Sequence, residues 1–114
     1  MERREGRRYP LDLELEWRLV SRAVSESGRG RTVDLSTSGL CFDAGTQLAP
    51  GIAIELSIAW PVRRPNASPL ELVVLGLIVR SQRHLVGVRI LRQTFRRASR
   101  PVARGGGRTA SGVS

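Results

Sequence analysis

The sequence predicts a mainly β fold, a small antiparallel β-barrel built from five or six short strands. Apolar and polar residues alternate with a period of two in several segments, which is typical of strands with one buried face. Turn-forming residues separate these segments, and none of them has the spacing of a long amphipathic helix. Closure into a barrel removes the exposed edges that an open sheet would leave. The 114 residues suffice for one domain.

The first strand is predicted over residues 11–19. Its odd-numbered positions hold leucine or tryptophan, whereas acidic residues and an arginine occupy the even-numbered positions. This alternation places one face against the core and leaves the charged face in water. The polar, glycine-rich residues 25–30 that follow are predicted to form a turn.

The remaining strands follow from the same reasoning. They are predicted over residues 31–35, 40–42, 52–58, 70–80 and 85–91, with a proline-containing loop over residues 61–69. A short helix is predicted to begin near Gln93. Residues 99–114 are rich in arginine, glycine and serine and contain no acid, so they are predicted to be a disordered tail.

The charge of the chain favours an anionic partner. The formal net charge is +9, and all 19 basic residues are arginines. The absence of lysine is typical of the coding bias of a GC-rich genome, so the positions of the arginines carry more information than their number. Nucleotides, nucleic acids and anionic membranes are all compatible with so basic a protein.

Nothing in the sequence indicates secretion or a membrane-spanning segment. No apolar segment reaches the roughly 18 residues that a membrane helix requires. The basic residues 1–8 lead into the alternating strand, where a signal peptide would show a continuous apolar stretch. Cys41 is the single cysteine, so no internal disulfide can form. We therefore expect a cytoplasmic protein.

The composition does not favour an enzyme. One histidine, one cysteine and no lysine leave few candidates for a general base or an activated nucleophile. Cys41, between Leu40 and Phe42, is interpreted as a small core residue, and His84 as a polar residue at the end of a strand. No second thiol supports a metal site. We assign no catalytic residue, no metal and no cofactor.

Two short segments carry the functional hypothesis. An arginine-rich run over residues 3–10 lies immediately before the first strand, so its guanidinium groups are held near the barrel. A planar guanidinium forms paired hydrogen bonds with a phosphate or with O6 and N7 of guanine, and it also stacks on purines. Residues 34–39 have the composition of a turn, in which the glycine can take a positive φ. Taken separately, the two segments favour the plainer interpretations, a solvated arm and an ordinary turn.

Together the two segments resemble the paired signature of the PilZ domain family. Arg4 and Arg8 match Arg-x-x-x-Arg, whereas Asp34, Ser36 and Gly39 match Asp-x-Ser-x-x-Gly. Three further segments are similar to that family: Tyr9-Pro10, Gly39-Leu40-Cys41-Phe42 and Val86-Gly87-Val88-Arg89-Ile90. The resemblance covers residues 3–98. It implies a six-stranded antiparallel barrel with a short C-terminal helix, which binds the second messenger cyclic di-GMP.

The resemblance also implies a role for each matched residue. Arg4 and Arg8 would bind phosphates and guanine Hoogsteen edges, and Asp34 would accept a hydrogen bond from a guanine N–H. Ser36 would add a polar contact, and Gly39 would allow close approach of the backbone.

The number of bound ligands depends on one further position. In the family, an arginine directly before Arg-x-x-x-Arg is associated with binding of a stacked ligand pair. Arg3 occupies that position, and Arg7 is an alternative partner for the second ligand.

These features lead to one expected function and two alternatives. Residues 1–98 are expected to form a PilZ-like domain whose residues 1–10 are a ligand-binding arm. The expected protein is a stand-alone receptor that binds cyclic di-GMP and relays the signal to a protein partner. A basic nucleic-acid-binding protein is the first alternative, although aromatic residues for base stacking are scarce. A PilZ-like interaction module that has lost ligand binding is the second, although the motif residues are intact.

Overall fold

Seven β-strands, six of which close into a barrel, form the part of the chain that the computed structural model describes, residues 9–23, 25–61 and 68–98. The strands are β1 (Tyr9–Pro10), β2 (Glu14–Val20), β3 (Ser27–Leu35), β4 (Gly39–Asp43), β5 (Ala53–Trp60), β6 (Leu70–Gln82) and β7 (Leu85–Arg97). Their order around the barrel is β3-β2-β5-β6-β7-β4, and β4 pairs again with β3. All pairings are antiparallel. The predicted six-stranded antiparallel barrel is confirmed.

The inward faces of the strands fill the barrel with aliphatic and aromatic side chains. On β2 the buried residues are Leu15, Trp17 and Leu19, so the predicted orientation of the first strand is confirmed. The fully buried side chains of the other strands are Phe42, Ile54, Leu56, Ile58, Val74, Ile78 and Val86. Burial of one such side chain stabilises a fold by about 1.5–3 kcal/mol, so this core is the main source of stability.

The first predicted strand, residues 11–19, begins later than expected, at Glu14, because the side chain of Thr32 bonds with the residues before it. Thr32 is buried, and its hydroxyl accepts a hydrogen bond from the N–H of Leu13 at 2.8 Å while donating to the carbonyl oxygen of Leu11. The hydroxyl therefore replaces backbone ladder bonds there, and residues 11–13 of the predicted strand lie between β1 and β2. Both strands lie along the same edge of β3, since Pro10 pairs with Asp34 and Glu14 pairs with Arg31.

The predicted turn over residues 25–30 is wrong from Ser27 onward, because β3 begins there. The glycines there serve close packing. A Cβ atom on Gly28 would lie 2.7 Å from Cζ2 of Trp17, and one on Gly30 would lie 2.1 Å from the carbonyl oxygen of Asp43. The Trp17 indole donates a hydrogen bond to the carbonyl oxygen of Ala44 at 3.2 Å. Glycine at these positions leaves the space that the indole and the β4 backbone occupy.

The C-terminal end of the described chain is a strand and not a helix. Gln93, at which a helix was expected to begin, continues β7 and pairs with Val74 of β6. The rings of Phe95 and Trp60 pack in a T-shaped arrangement with their centroids 5.3 Å apart, which favours the extended hairpin over a helix. The predicted tail over residues 99–114 lies outside the described residues, as do residues 62–67 of the predicted loop. Nothing helical in the described ranges has the length and apolarity that a membrane crossing requires.

Candidate functional site

The turn between β3 and β4 carries the second predicted motif. The N–H of Ser36 donates to the carbonyl oxygen of Gly39 at 2.8 Å, and the N–H of Gly39 donates to the Ser36 hydroxyl at 3.1 Å. Ser36 therefore closes the turn on itself. Gly39 does not take the positive φ that its place in a turn suggested, which among the described glycines only Gly45 and Gly51 do. A Cβ atom on Gly39 would lie 3.0 Å from the carbonyl oxygen of Val88, so close backbone packing favours glycine here.

A β-bulge at Val33 sets the orientation of Asp34. The pairing of β3 with β4 shifts by one residue between Thr32, which lies opposite Phe42, and Asp34, which lies opposite Cys41. Without the extra residue, Thr32 and Asp34 would share a face, because side chains two residues apart point the same way in a regular strand. Thr32 faces the interior, so the bulge turns Asp34 to the outer surface of the barrel, where it is half-buried.

The same pairing places Cys41 on the outer surface. Its neighbours Leu40 and Phe42 are buried in the core, and alternation directs the thiol of the residue between them outward. Cys41 is half-buried and lies in one row with Asp34. The interpretation of Cys41 as a core residue is wrong, because the two larger neighbours occupy the inward positions.

The first predicted motif lies outside the described residues. Arg3, Arg4 and Arg8 precede Tyr9, at which the described chain begins, and their placement stays a prediction. The chain enters the barrel next to the turn, since Tyr9 pairs with Leu35 in β1 and β3. The structure thus brings Asp34, Ser36 and Gly39 together beside the point at which the arm ends.

Comparison with known families identifies the fold. A sequence model of the PilZ domain matches residues 2–100, which is nearly the whole chain and includes both motifs. The chain belongs to the PilZ domain family. PilZ domains bind cyclic di-GMP and are binding modules and not catalytic domains, which supports the expected class of function. No curated protein and no solved structure matches the chain significantly.

Two arginines on the outer surface of this PilZ domain lie near the turn but belong to neither sequence motif. Arg89 of β7 pairs with Gly39 at the start of β4. Arg80 of β6 pairs with Gly87, which in turn pairs with Cys41. Both arginines are exposed. Both arginines lie in segments that the sequence predicts to be strands. Their distance from the turn depends on the strand pairing, which the sequence does not show.

The arginines of the PilZ domain differ in whether an acid neutralises them. Arg18 is paired with Glu55, Arg96 with Glu71, and Arg31 with Asp12 at 2.6 Å. The hydrogen bond and the charge of Asp12 raise the pKa of Arg31 above its usual value. Arg80 and Arg89 form no ion pair with any residue of the described ranges. The same holds for five other exposed arginines, so the positive charge that is open to an anionic ligand is spread over several strands and loops: Arg22, Arg29, Arg83, Arg92 and Arg97. Of all these arginines, Arg89 is the one that pairs directly with a residue of the turn, Gly39.

No group of three or more His, Cys, Asp or Glu side chains among the described residues is arranged to hold a metal ion. His84 lies in the turn between β6 and β7, where its Nδ1 atom contacts Oδ1 of Asp43 at 2.9 Å. The same carboxylate oxygen accepts a hydrogen bond from the N–H of Gly45, so Asp43 and His84 fix loop geometry.

Proposed function

We propose that this PilZ domain is a receptor that binds cyclic di-GMP on the outer surface of the barrel, beside residues 34–39, and relays binding to a protein partner. The observation that carries the proposal is the bulge at Val33. It turns Asp34 to the outer surface of the barrel, in the part of β3 that pairs with β1, the strand that follows the arginine-rich segment in sequence. A carboxylate there can accept hydrogen bonds from the N1–H and amino groups of guanine.

The arm supplies the groups that complement the phosphates. Arg8 directly precedes Tyr9, the first residue of β1, and β1 lies one strand spacing, about 4.8 Å, from β3. The Arg8 side chain is therefore proposed to contact the ligand near Asp34. Arg4, four residues earlier, is proposed to bind the second phosphate or a guanine Hoogsteen edge. Charge-assisted hydrogen bonds of this kind contribute about 1.5–3 kcal/mol each.

The turn residues act chiefly on the geometry of the site. The Ser36 hydroxyl already bonds with the Gly39 backbone, so it holds the turn in shape and keeps one acceptor position for a ligand. Gly39 lets β4 approach Val88 closely. Arg3 is proposed to hold the second member of a stacked ligand pair, with Arg7 as the alternative residue.

Signal relay is proposed to depend on the arm. A ligand that contacts both the arm and the barrel favours the conformation in which the two lie together, because its affinity for that conformation is higher. A protein partner that recognises the docked arm would then bind only the ligand-loaded receptor.

Calorimetric titration with cyclic di-GMP tests the proposal. Arg8→Ala should raise Kd roughly 10- to 150-fold, which corresponds to the loss of one charge-assisted contact. Arg92→Ala is the matched control, because it removes the same charge from an exposed position on β7. Two ligands per chain would support the role of Arg3, and one per chain would contradict it. Absence of binding to the wild type would refute the receptor function.

One observation favours nucleic-acid binding as a second candidate. Residues 72–114 contain nine arginines and no acid, so the whole net charge of the chain arises from its C-terminal part. Two of the five described aromatic residues, Trp17 and Phe42, are buried in the core, and the exposed Phe95 packs against Trp60, so few aromatic rings are left for base stacking. Two results together would favour this candidate. The affinity for single-stranded oligonucleotides would fall steeply as the salt concentration rises, and cyclic di-GMP would not bind.

A further inference from the structure

Asp34 and Arg80 lie in a single row across the outer surface of the barrel. The row is fixed by three backbone pairings: Asp34 with Cys41, Cys41 with Gly87, and Gly87 with Arg80. It therefore crosses from β3 through β4 and β7 to β6. Between the two charged residues the row contains only a cysteine and a glycine, so no large side chain separates them.

A second β-bulge directs Arg80 to this row. The pairing of β6 with β7 shifts by one residue between Ile78, which lies opposite Val88, and Arg80, which lies opposite Gly87. Ile78 is buried in the core, so without the extra residue Val79 the side chain of Arg80 would point into the barrel. The bulges at Val33 and Val79 thus have the same effect at the two ends of the row.

The Arg80 side chain extends along the row towards Asp34. A Cβ atom built on Gly87 would lie 3.2 Å from Nε, 3.4 Å from Cγ and 3.6 Å from Cζ of Arg80. The guanidinium therefore lies over the Gly87 backbone, and Gly87 is buried although its α-carbon faces outward. Two strand spacings, about 10 Å, separate the strands that carry Gly87 and Asp34.

We propose that Arg80 is a ligand-binding residue of the cyclic di-GMP site and contacts the part of the ligand farthest from Asp34. This inference rests on the proposed function and names a residue outside the two sequence motifs. Arg80 is exposed and forms no ion pair within the described ranges, so its charge is open to a phosphate. Its planar group, held flat on the sheet, also offers a surface on which a guanine can stack.

Removal of Arg80 gives the direct test. In calorimetric titrations with cyclic di-GMP, Arg80→Ala should raise Kd about tenfold, as expected for loss of one exposed charge-assisted contact. Arg92→Ala is the matched control. Arg92 also follows a bulge and also faces outward, but it pairs with Leu75 and lies outside the row of Asp34. Its substitution should leave Kd unchanged.

Two further variants separate binding from folding and define the contact. Arg80→Gln retains much of the packing on Gly87 and removes the charge, so it should weaken binding like Arg80→Ala while keeping the melting temperature of the wild type. Arg80→Lys should restore affinity if the contact is to a phosphate, and should bind as weakly as Arg80→Ala if it is a stacking contact. Either result supports the assignment.

The outcomes distinguish this inference from the proposed function. If the wild type binds cyclic di-GMP and both Arg80→Ala and Arg80→Gln bind as tightly as Arg92→Ala, Arg80 only packs against Gly87 and does not contact the ligand. The receptor function then stands and the inference is refuted. If the wild type does not bind, the function and the inference fail together.

Discussion

The close contact between Gly30 and the β4 backbone predicts a severe loss of stability in Gly30→Ala. The Cβ atom of alanine would lie 2.1 Å from the carbonyl oxygen of Asp43 and 3.2 Å from its carbonyl carbon. Relief requires β3 and β4 to separate by about 1 Å, since a carbon and an oxygen in contact lie more than 3 Å apart. This separation would also disturb Ala44, whose carbonyl oxygen accepts the Trp17 hydrogen bond.

The magnitude follows from overpacking against a rigid backbone. Forcing an extra methyl group into a packed region costs about 1–3 kcal/mol, and the upper end applies here because the obstructing atom belongs to a strand. A domain of this size loses about 4–8 °C in melting temperature per kcal/mol, so Gly30→Ala should melt roughly 10–20 °C below the wild type. Thermal unfolding followed by circular dichroism, together with urea titration, measures this difference.

Two other glycines provide graded controls for the same methyl group. Gly39→Ala would meet the Val88 carbonyl oxygen at 3.0 Å and should cost less. Gly87→Ala would meet the flexible Arg80 side chain at 3.2 Å, so it should be close to neutral for stability. Equal melting temperatures for Gly30→Ala and Gly87→Ala would refute the reasoning, because the identity of the obstructing atom would then not matter.

Two hydroxyl groups lead to predictions of opposite sign. Thr32→Val should destabilise the domain by about 1–3 kcal/mol, because it leaves the Leu13 N–H and the Leu11 carbonyl without the hydroxyl that now satisfies both. Thr32→Ser should retain most of that stability. If Thr32→Ser and Thr32→Val have the same free energy of unfolding in urea, the role assigned to the hydroxyl is contradicted. Ser81→Ala should stabilise by about 1 kcal/mol, because the Ser81 hydroxyl is buried without a hydrogen-bond partner in the described ranges. An unchanged or lower urea midpoint for Ser81→Ala would show that this hydroxyl is satisfied in solution.

The barrel could be predicted from the sequence because its main determinant is local. Alternation in β2 and β5 identifies the inward residues, and the structure buries Leu15, Trp17, Leu56 and Ile58 as expected. The glycines in the first half of β3 were misread as a turn, because their function depends on Trp17 and on the β4 backbone, which are distant in sequence. The end of β7 was misread for a similar reason, since Phe95 is held by Trp60 across β6.

The candidate site was only partly predictable. Asp34, Ser36 and Gly39 form a contiguous motif, and a turn between two strands keeps such residues together whatever the rest of the fold does. Arg80 is 46 positions after Asp34 in the sequence. Its place in the same row depends on two register shifts and on the pairing of four strands, and no local pattern contains the pairing.

The three register shifts among the described strands nevertheless have a sequence pattern in common. In each of the three bulged segments a core-facing residue precedes an aliphatic extra residue and then a charged one: Thr32-Val33-Asp34, Ile78-Val79-Arg80 and Ile90-Leu91-Arg92. In a regular strand the charged residue would share the inward face, where an unpaired charge is prohibitively costly. The extra residue is exposed in all three cases, which is the smaller cost because single apolar side chains are common on protein surfaces. A charged residue in the inward phase of an otherwise alternating strand therefore predicts a bulge, and applied to β3 and β6 this rule turns both Asp34 and Arg80 to the outside.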